Sequence, residues 1–138
     1  MENTPNANAA ALVGRVLSGL AILFMTFSGV IKLLAPSFVL ENFVRMQIPV
    51  EQATGIGLLE LGCTLVYAVP RTTVHGAILL TGYLGGAVIA HLRLDDPWFS
   101  HTLFPIYVGA FVWGGLVLRD RRVRELILGP TPRPSPQR

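Results

Sequence analysis

The feature that most constrains this chain is a carboxylate placed near the middle of a run long enough to cross a bilayer. Beyond Glu51 and Gln52 at its start, Val50 to Val69 is apolar except at Glu60 and a few small or hydroxyl residues. At roughly 100° per residue, Ala53, Ile56, Gly57, Glu60, Cys63, Thr64 and Tyr67 share one face, and Leu58, Leu61, Leu65 and Val69 share the other. A charged side chain at the bilayer centre costs roughly 2.5–3.5 kcal/mol on insertion scales, so such groups turn toward the protein interior and mark a working surface. The helix therefore has a lipid side and a polar side, and the polar side needs partners.

Three further runs match it in length: Leu12 to Leu34, Thr73 to Leu92 and Thr102 to Leu118. In a chain of 138 residues with 51% hydrophobic and 14% charged side chains, they leave no room for a separate soluble domain. A mean hydropathy of +0.55 agrees. The fold class expected is all-α, an integral membrane bundle of four transmembrane helices with a short interfacial helix after the first. Residues 1–11 read as a flexible lead-in, 12–126 as the membrane domain and 127–138 as a Pro-rich disordered tail. The first run lacks a basic segment before it and a small-residue cleavage site after it, so it reads as a retained helix rather than a leader. The net charge of +3 is spread along the helix ends instead of clustering with aromatics, which argues against nucleic acid. A lone cysteine, Cys63, excludes a dithiol relay within one chain and reads as a small inert hydrophobe.

In the first run Gly14, Ser18, Ala21, Met25, Ser28, Gly29 and Lys32 align, a face of small and polar residues suited to close packing, and the helix stops before Pro36. Gly29 and Gly57 are the matching small positions on the first two helices. Ser37 to Ile48 alternates in the manner of an amphipathic helix lying at the interface. Pro70, Arg71 and Thr72 alone separate the second and third runs, which makes them a tight antiparallel hairpin. The third run carries Gly82, Gly85 and Gly86, a seam expected to pack against another helix; Arg93 lies on the seam and His91 roughly opposite. Arg93 to His101 reads as a polar loop. Its His and Asp residues match no familiar ligand spacing, so no metal is expected. Trp98 and Phe99 read as interfacial anchors. In the fourth run Leu103, Phe104, Tyr107, Ala110, Phe111, Gly114 and Leu118 share a face, and Tyr107 adds a phenol to the interior on that reading.

Lys32, within a turn of the end of its helix, is placed to reach Glu60. Two arrangements satisfy the buried carboxylate. It pairs with Lys32, which removes the cost of an isolated charge, or it is protonated and donates to Tyr67 or Ser28 while Lys32 extends to the headgroups. Lys32, Glu60, Tyr67, Ser28, Tyr107, His91 and Arg93 are the candidate pocket residues.

Taken together, Ser28-Gly29 followed by Lys32, the run Gly57 to Leu61, Pro70-Arg71, Gly85-Gly86-Ala87 with His91 and Arg93, and Trp113 with Leu118-Arg119-Asp120 make the chain resemble the DoxX-like small membrane proteins over about Arg15 to Leu126. The resemblance implies a bacterial four-helix membrane bundle. It also implies a link to quinone chemistry, since the family's namesake is the small subunit of a thiosulfate:quinone oxidoreductase. Three functions fit. The first is an accessory subunit, without activity of its own, whose pocket holds a quinone or another amphipathic molecule. The second is a subunit of a quinone-linked oxidoreductase in which Glu60 and His91 move protons beside a redox partner. The third is a structural or assembly factor for a membrane complex, with homo-oligomers among its forms.

Arg15, Arg71, Arg119, Arg121, Arg122 and Arg124 fall at one end of the bundle, and Lys32, Arg45 and Arg93 at the other. The positive-inside rule puts both termini in the cytoplasm of a cell carrying the protein in its inner (plasma) membrane. Reporter fusions after Arg124 and at Asp96 should then report opposite compartments, with the Arg124 fusion cytoplasmic; a periplasmic signal from it would invert the topology.

Overall fold

The structure is a computed structural model that describes residues 5–94 and 96–129. It is all-helical over these residues, with six α-helices: α1 (Pro5–Leu34), α2 (Ser37–Arg45), α3 (Gln52–Ala68), α4 (Thr73–Arg93), α5 (Phe104–Arg119) and α6 (Arg121–Leu128). Three stretches are long and apolar enough to cross a membrane: Asn8–Leu34, Thr73–Arg93 and Trp98–Arg119. At 17 residues, α3 is shorter than these. The helices α1, α3, α4 and α5 pack as a ring in which α1 touches α3 and α5, and α4 touches the same two.

Large apolar side chains cover the outside of this ring. Leu23, Phe27, Leu58 and Leu65 are all more than half exposed. So many exposed large apolar side chains are rare on a water-soluble monomer, and lipid is the solvent that suits them. The inside is built from small residues and a few large ones: Ala21, Met25, Tyr67, Ala77, Leu80, Val112 and Leu116 form the main core. Where the helices come closest, glycine permits it. A Cβ at Gly14 would lie 2.8 Å from the Gly115 carbonyl oxygen of α5, and one at Gly57 would lie 2.9 Å from the Gly29 carbonyl oxygen of α1.

At one end of the ring α2 folds back over the helix ends. Ala35 takes the left-handed conformation, φ 46°, between α1 and Pro36. Val39 and Phe43, four apart on the amphipathic α2, then bury against Ala53, Ile31 and Ile56. At the other end the hydroxyl of Thr72 donates to the Val66 carbonyl and that of Thr73 to the Val69 carbonyl, which closes the turn between α3 and α4. Asp120 caps α6, its carboxylate accepting from the backbone N–H of Arg122 and Val123.

Several expectations are corrected. The first helix begins at Pro5, so residues 5–11 continue α1 instead of forming a flexible lead-in. The Pro-rich tail lies almost wholly outside the described residues, as do residues 1–4 and Asp95. The loop expected over Arg93 to His101 is partly helical, because Trp98–Thr102 closes a wide π turn in which Thr102 N–H bonds back to Pro97. The helix α5 is rotated from the face proposed for it. Pro105, Val108, Val112, Gly115 and Leu116 are buried, whereas Phe104, Tyr107 and Phe111 are nearly half exposed. Small and β-branched residues let α5 approach α1 closely, Tyr107 and Phe111 are left on the outer surface, and Phe104 packs edge-on against Phe24 of α1. The seam of Gly82, Gly85 and Gly86 is not a helix contact either, since a Cβ at any of the three would meet nothing within 4 Å.

Glycines of the two kinds should respond differently to substitution. A Cβ at Gly76 would run into the backbone of Tyr67, so Gly76→Ala should cost on the order of 1–3 kcal/mol by forcing α3 and α4 apart. Gly86→Ala should leave the melting temperature in detergent unchanged or raised, since alanine favours the helix by up to about 1 kcal/mol. Equal destabilisation by both would restore the packed seam.

Candidate functional site

A cavity of about 790 Å³ lies between α1, α3, α4 and α5, beneath α2. Its walls are mostly apolar: Met25, Ile31, Ile56, Leu84 and Val108 from the ring, with Val39 and Phe43 of α2 and Met46 just after it across the end. Gly82 and Gly86 also line it, and their missing side chains are part of the space. The polar lining gathers in two places.

The first is deep in the wall. Lys32, in the last turn of α1 where a cation suits the helix dipole, places Nζ 2.7 Å from Oε2 of Glu60 in α3. Glu60 is 1% exposed. The same ammonium donates to the hydroxyl of Ser28 at 2.7 Å and to its carbonyl at 3.2 Å, so its three hydrogens all have partners. From the other side, the Tyr83 hydroxyl of α4 donates to Oε2 at 2.8 Å. Three helices thus meet on one carboxylate oxygen. Oε1 makes no hydrogen bond among the described residues, and Glu60 lines the cavity. Cys63, one turn along α3, lines it as well.

The second polar group sits at the α2 end. Asp96, just past α4, accepts from Nδ1 of His91 at 2.7 Å and pairs with the Arg45 guanidinium of α2. Since a carboxylate only accepts, Nδ1 of His91 carries the hydrogen. The His91 hydrogen bond, and after it the Arg45 charge, hold the Asp96 carboxyl below its usual range against the opposing effect of burial. Its interactions therefore favour the folded state above the ordinary carboxylate range and are lost as the pH falls through the lowered value. Along α4, His91 lies eight residues from Tyr83, about 12 Å of helix rise.

Of the sequence candidates, Lys32, Glu60, Ser28 and His91 line this cavity. Tyr67, Tyr107 and Arg93 do not. Tyr67 shares the Glu60 face but lies about two turns deeper, fully buried. There its hydroxyl donates to the Val112 carbonyl at 2.8 Å and meets Ser18 Oγ at 2.9 Å, with the Arg119 guanidinium over its ring. Tyr107 points outward with α5's other aromatics, and Arg93 is exposed. Sequence reasoning missed Tyr83 and Asn42, both of which line the cavity, and the Arg45–Asp96 pair. For Tyr83 a signal existed: a phenol in mid-span, flanked by Gly82, Gly86 and Ala87, is a polar group beside a concave wall.

The pair across α1 and α3 yields a direct test. Lys32→Met strands a buried carboxylate and should cost roughly 3–5 kcal/mol of stability, read as a fall in melting temperature. Glu60→Gln should also destabilise, and the double variant should lose clearly less than the sum. Strictly additive losses would mean that the two charges do not interact.

No curated protein and no solved structure gives a match to this chain. The sequence model of the DoxX-like family matches residues 16–115, a span that takes in α2, α3 and α4, most of α1 and α5, and every residue of the two polar groups just described. With an apolar exterior and helices of spanning length around them, the chain is a membrane protein that belongs to the DoxX-like family.

Proposed function

We propose that this protein spans the inner (plasma) membrane four times with both termini cytoplasmic, and that it serves as an accessory subunit whose cavity holds a quinone or a similar amphipathic molecule. The observation that carries this reading is the cavity itself: mostly apolar walls with a compact polar cluster, Lys32, Glu60, Ser28 and Tyr83, set at one depth apart from the His91 group at the α2 end. Such a site matches a ligand with one polar end and a hydrocarbon remainder. Leu59, Ile78 and Leu79 line the cavity while remaining about half exposed on the outer surface. The opening between them faces lipid, the solvent in which such a ligand is dissolved. For the fourth span, the 17 residues of α3 supply about 25 Å of helix, close to the hydrocarbon thickness of a bilayer.

A second reading is favoured by His91, which lines the same cavity with one ring nitrogen fixed by Asp96. In a quinone-linked oxidoreductase this side chain and Glu60 would pass protons, while the redox cofactor would reside in a partner subunit.

Protein purified in detergent should release a quinone or another single-tailed amphiphile on solvent extraction, identified by mass spectrometry. Gly82→Phe places a ring where a Cβ meets open space, so it should fold with an unchanged melting temperature and lose most of that ligand. Retention equal to that of the unmodified protein would mean that the cavity does not hold it.

A further inference from the structure

The hydrogen bonds of the polar cluster restrict which chemical form of ligand it accepts. Resting on the reading that the cavity holds an amphipathic molecule, we infer that its occupant carries an uncharged hydroxyl head, as in a hydroquinone or a long-chain alcohol, in preference to a carbonyl head such as that of the oxidised quinone.

A carbonyl needs a donor from the protein. The strong donors of the Lys32–Glu60 cluster are already committed, and Asn42 and His91 line the cavity away from it, at the α2 end. All three hydrogens of Lys32 go to Glu60 Oε2, Ser28 Oγ and the Ser28 carbonyl, and the Tyr83 hydroxyl hydrogen goes to Glu60 Oε2. Redirecting either toward a ligand would take a donor away from a carboxylate that is 1% exposed, which is the costly side of the exchange. What the cluster offers the cavity is an acceptor. Both donors converge on Oε2, so Oε1 keeps its lone pairs, and a carboxylate oxygen is the strongest acceptor a protein side chain supplies. Beside it, Ser28 Oγ receives a hydrogen from Lys32 and keeps its own. A hydroxyl head fits this pair because it donates to Oε1 and accepts from Ser28. A carbonyl head finds only the Ser28 hydrogen and sets its own oxygen against the carboxylate.

Charge points the same way. Lys32 and Glu60 cancel, and the walls next to them are apolar, so a charged head would enter without a counter-ion. An uncharged head that donates a hydrogen bond avoids both penalties.

The test uses three probes of one shape: a benzoquinone with a ten-carbon tail, the hydroquinone obtained by reducing it, and the dimethyl ether of that hydroquinone. Binding to the purified full-length protein in detergent is read by tryptophan fluorescence and confirmed by calorimetry under anaerobic conditions. The hydroquinone should bind at least about tenfold more tightly than either other probe, the least that a hydrogen bond to a charged acceptor is worth. The dimethyl ether needs no variant that risks misfolding, since it deletes the donated hydrogens from the ligand. Glu60→Gln, which gives the cavity a donor, should narrow the gap between hydroquinone and quinone. Equal affinity for hydroquinone and quinone, or tighter binding of the quinone or the ether, would overturn the hydroxyl preference and leave the cavity reading standing. Failure of all three to bind would overturn both.

Discussion

The bond between Lys32 and Glu60 is the interaction on which the rest of the bundle depends. Each charge alone is costly in an apolar interior, and the pair is tolerable because both partners are also hydrogen-bonded, Lys32 to Ser28 and Glu60 to Tyr83. The bond therefore does more than neutralise. With the Tyr83 bond it ties α1, α3 and α4 together at one depth, and it occupies one carboxylate oxygen while the other keeps its lone pairs. The close approach of Gly29 and Gly57 beside it makes the short bridge between α1 and α3 attainable, since a side chain at either position would hold the helices apart.

Much of this was legible in the sequence. The inward faces of α1 and α3 stood out because each carries polar or small residues in an otherwise apolar run, and a carboxylate such as Glu60 has only one direction in which to turn. The amphipathic character of α2 was equally plain, since Val39 and Phe43 alternate with charge. The rotation of α5 was not legible. In a helix apolar on every side, hydropathy does not separate lipid from interior, and what decides is size: Gly115 and Val112 fit against α1, and Phe111 does not. Tyr67 was misassigned for a related reason. Helical phase gives the face but not the depth, and two turns separate a cavity wall from a packed core.

The glycines show how one sequence signal serves two opposite purposes. Gly14, Gly57, Gly76 and Gly115 sit where backbones nearly touch, and a methyl group at any of them would collide with its neighbour. Gly82 and Gly86 have the spacing usually read as a packing motif, yet they face open space along the cavity. Small residues permit closeness and equally leave room. Only the position of the next helix distinguishes the two outcomes, and that position is set by contacts far along the chain, such as Ser18 with Tyr67.

That last contact has a consequence for access to the cavity. About two turns along α3 from Glu60, Tyr67 is fully buried with its hydroxyl tied to Ser18 and to the Val112 carbonyl, in one core cluster with Met25, Leu80 and Leu116. The hollow therefore borders a packed core at this end. An occupant of the kind proposed would meet packed side chains at this end, and its way in and out would lie elsewhere, between Leu59, Ile78 and Leu79.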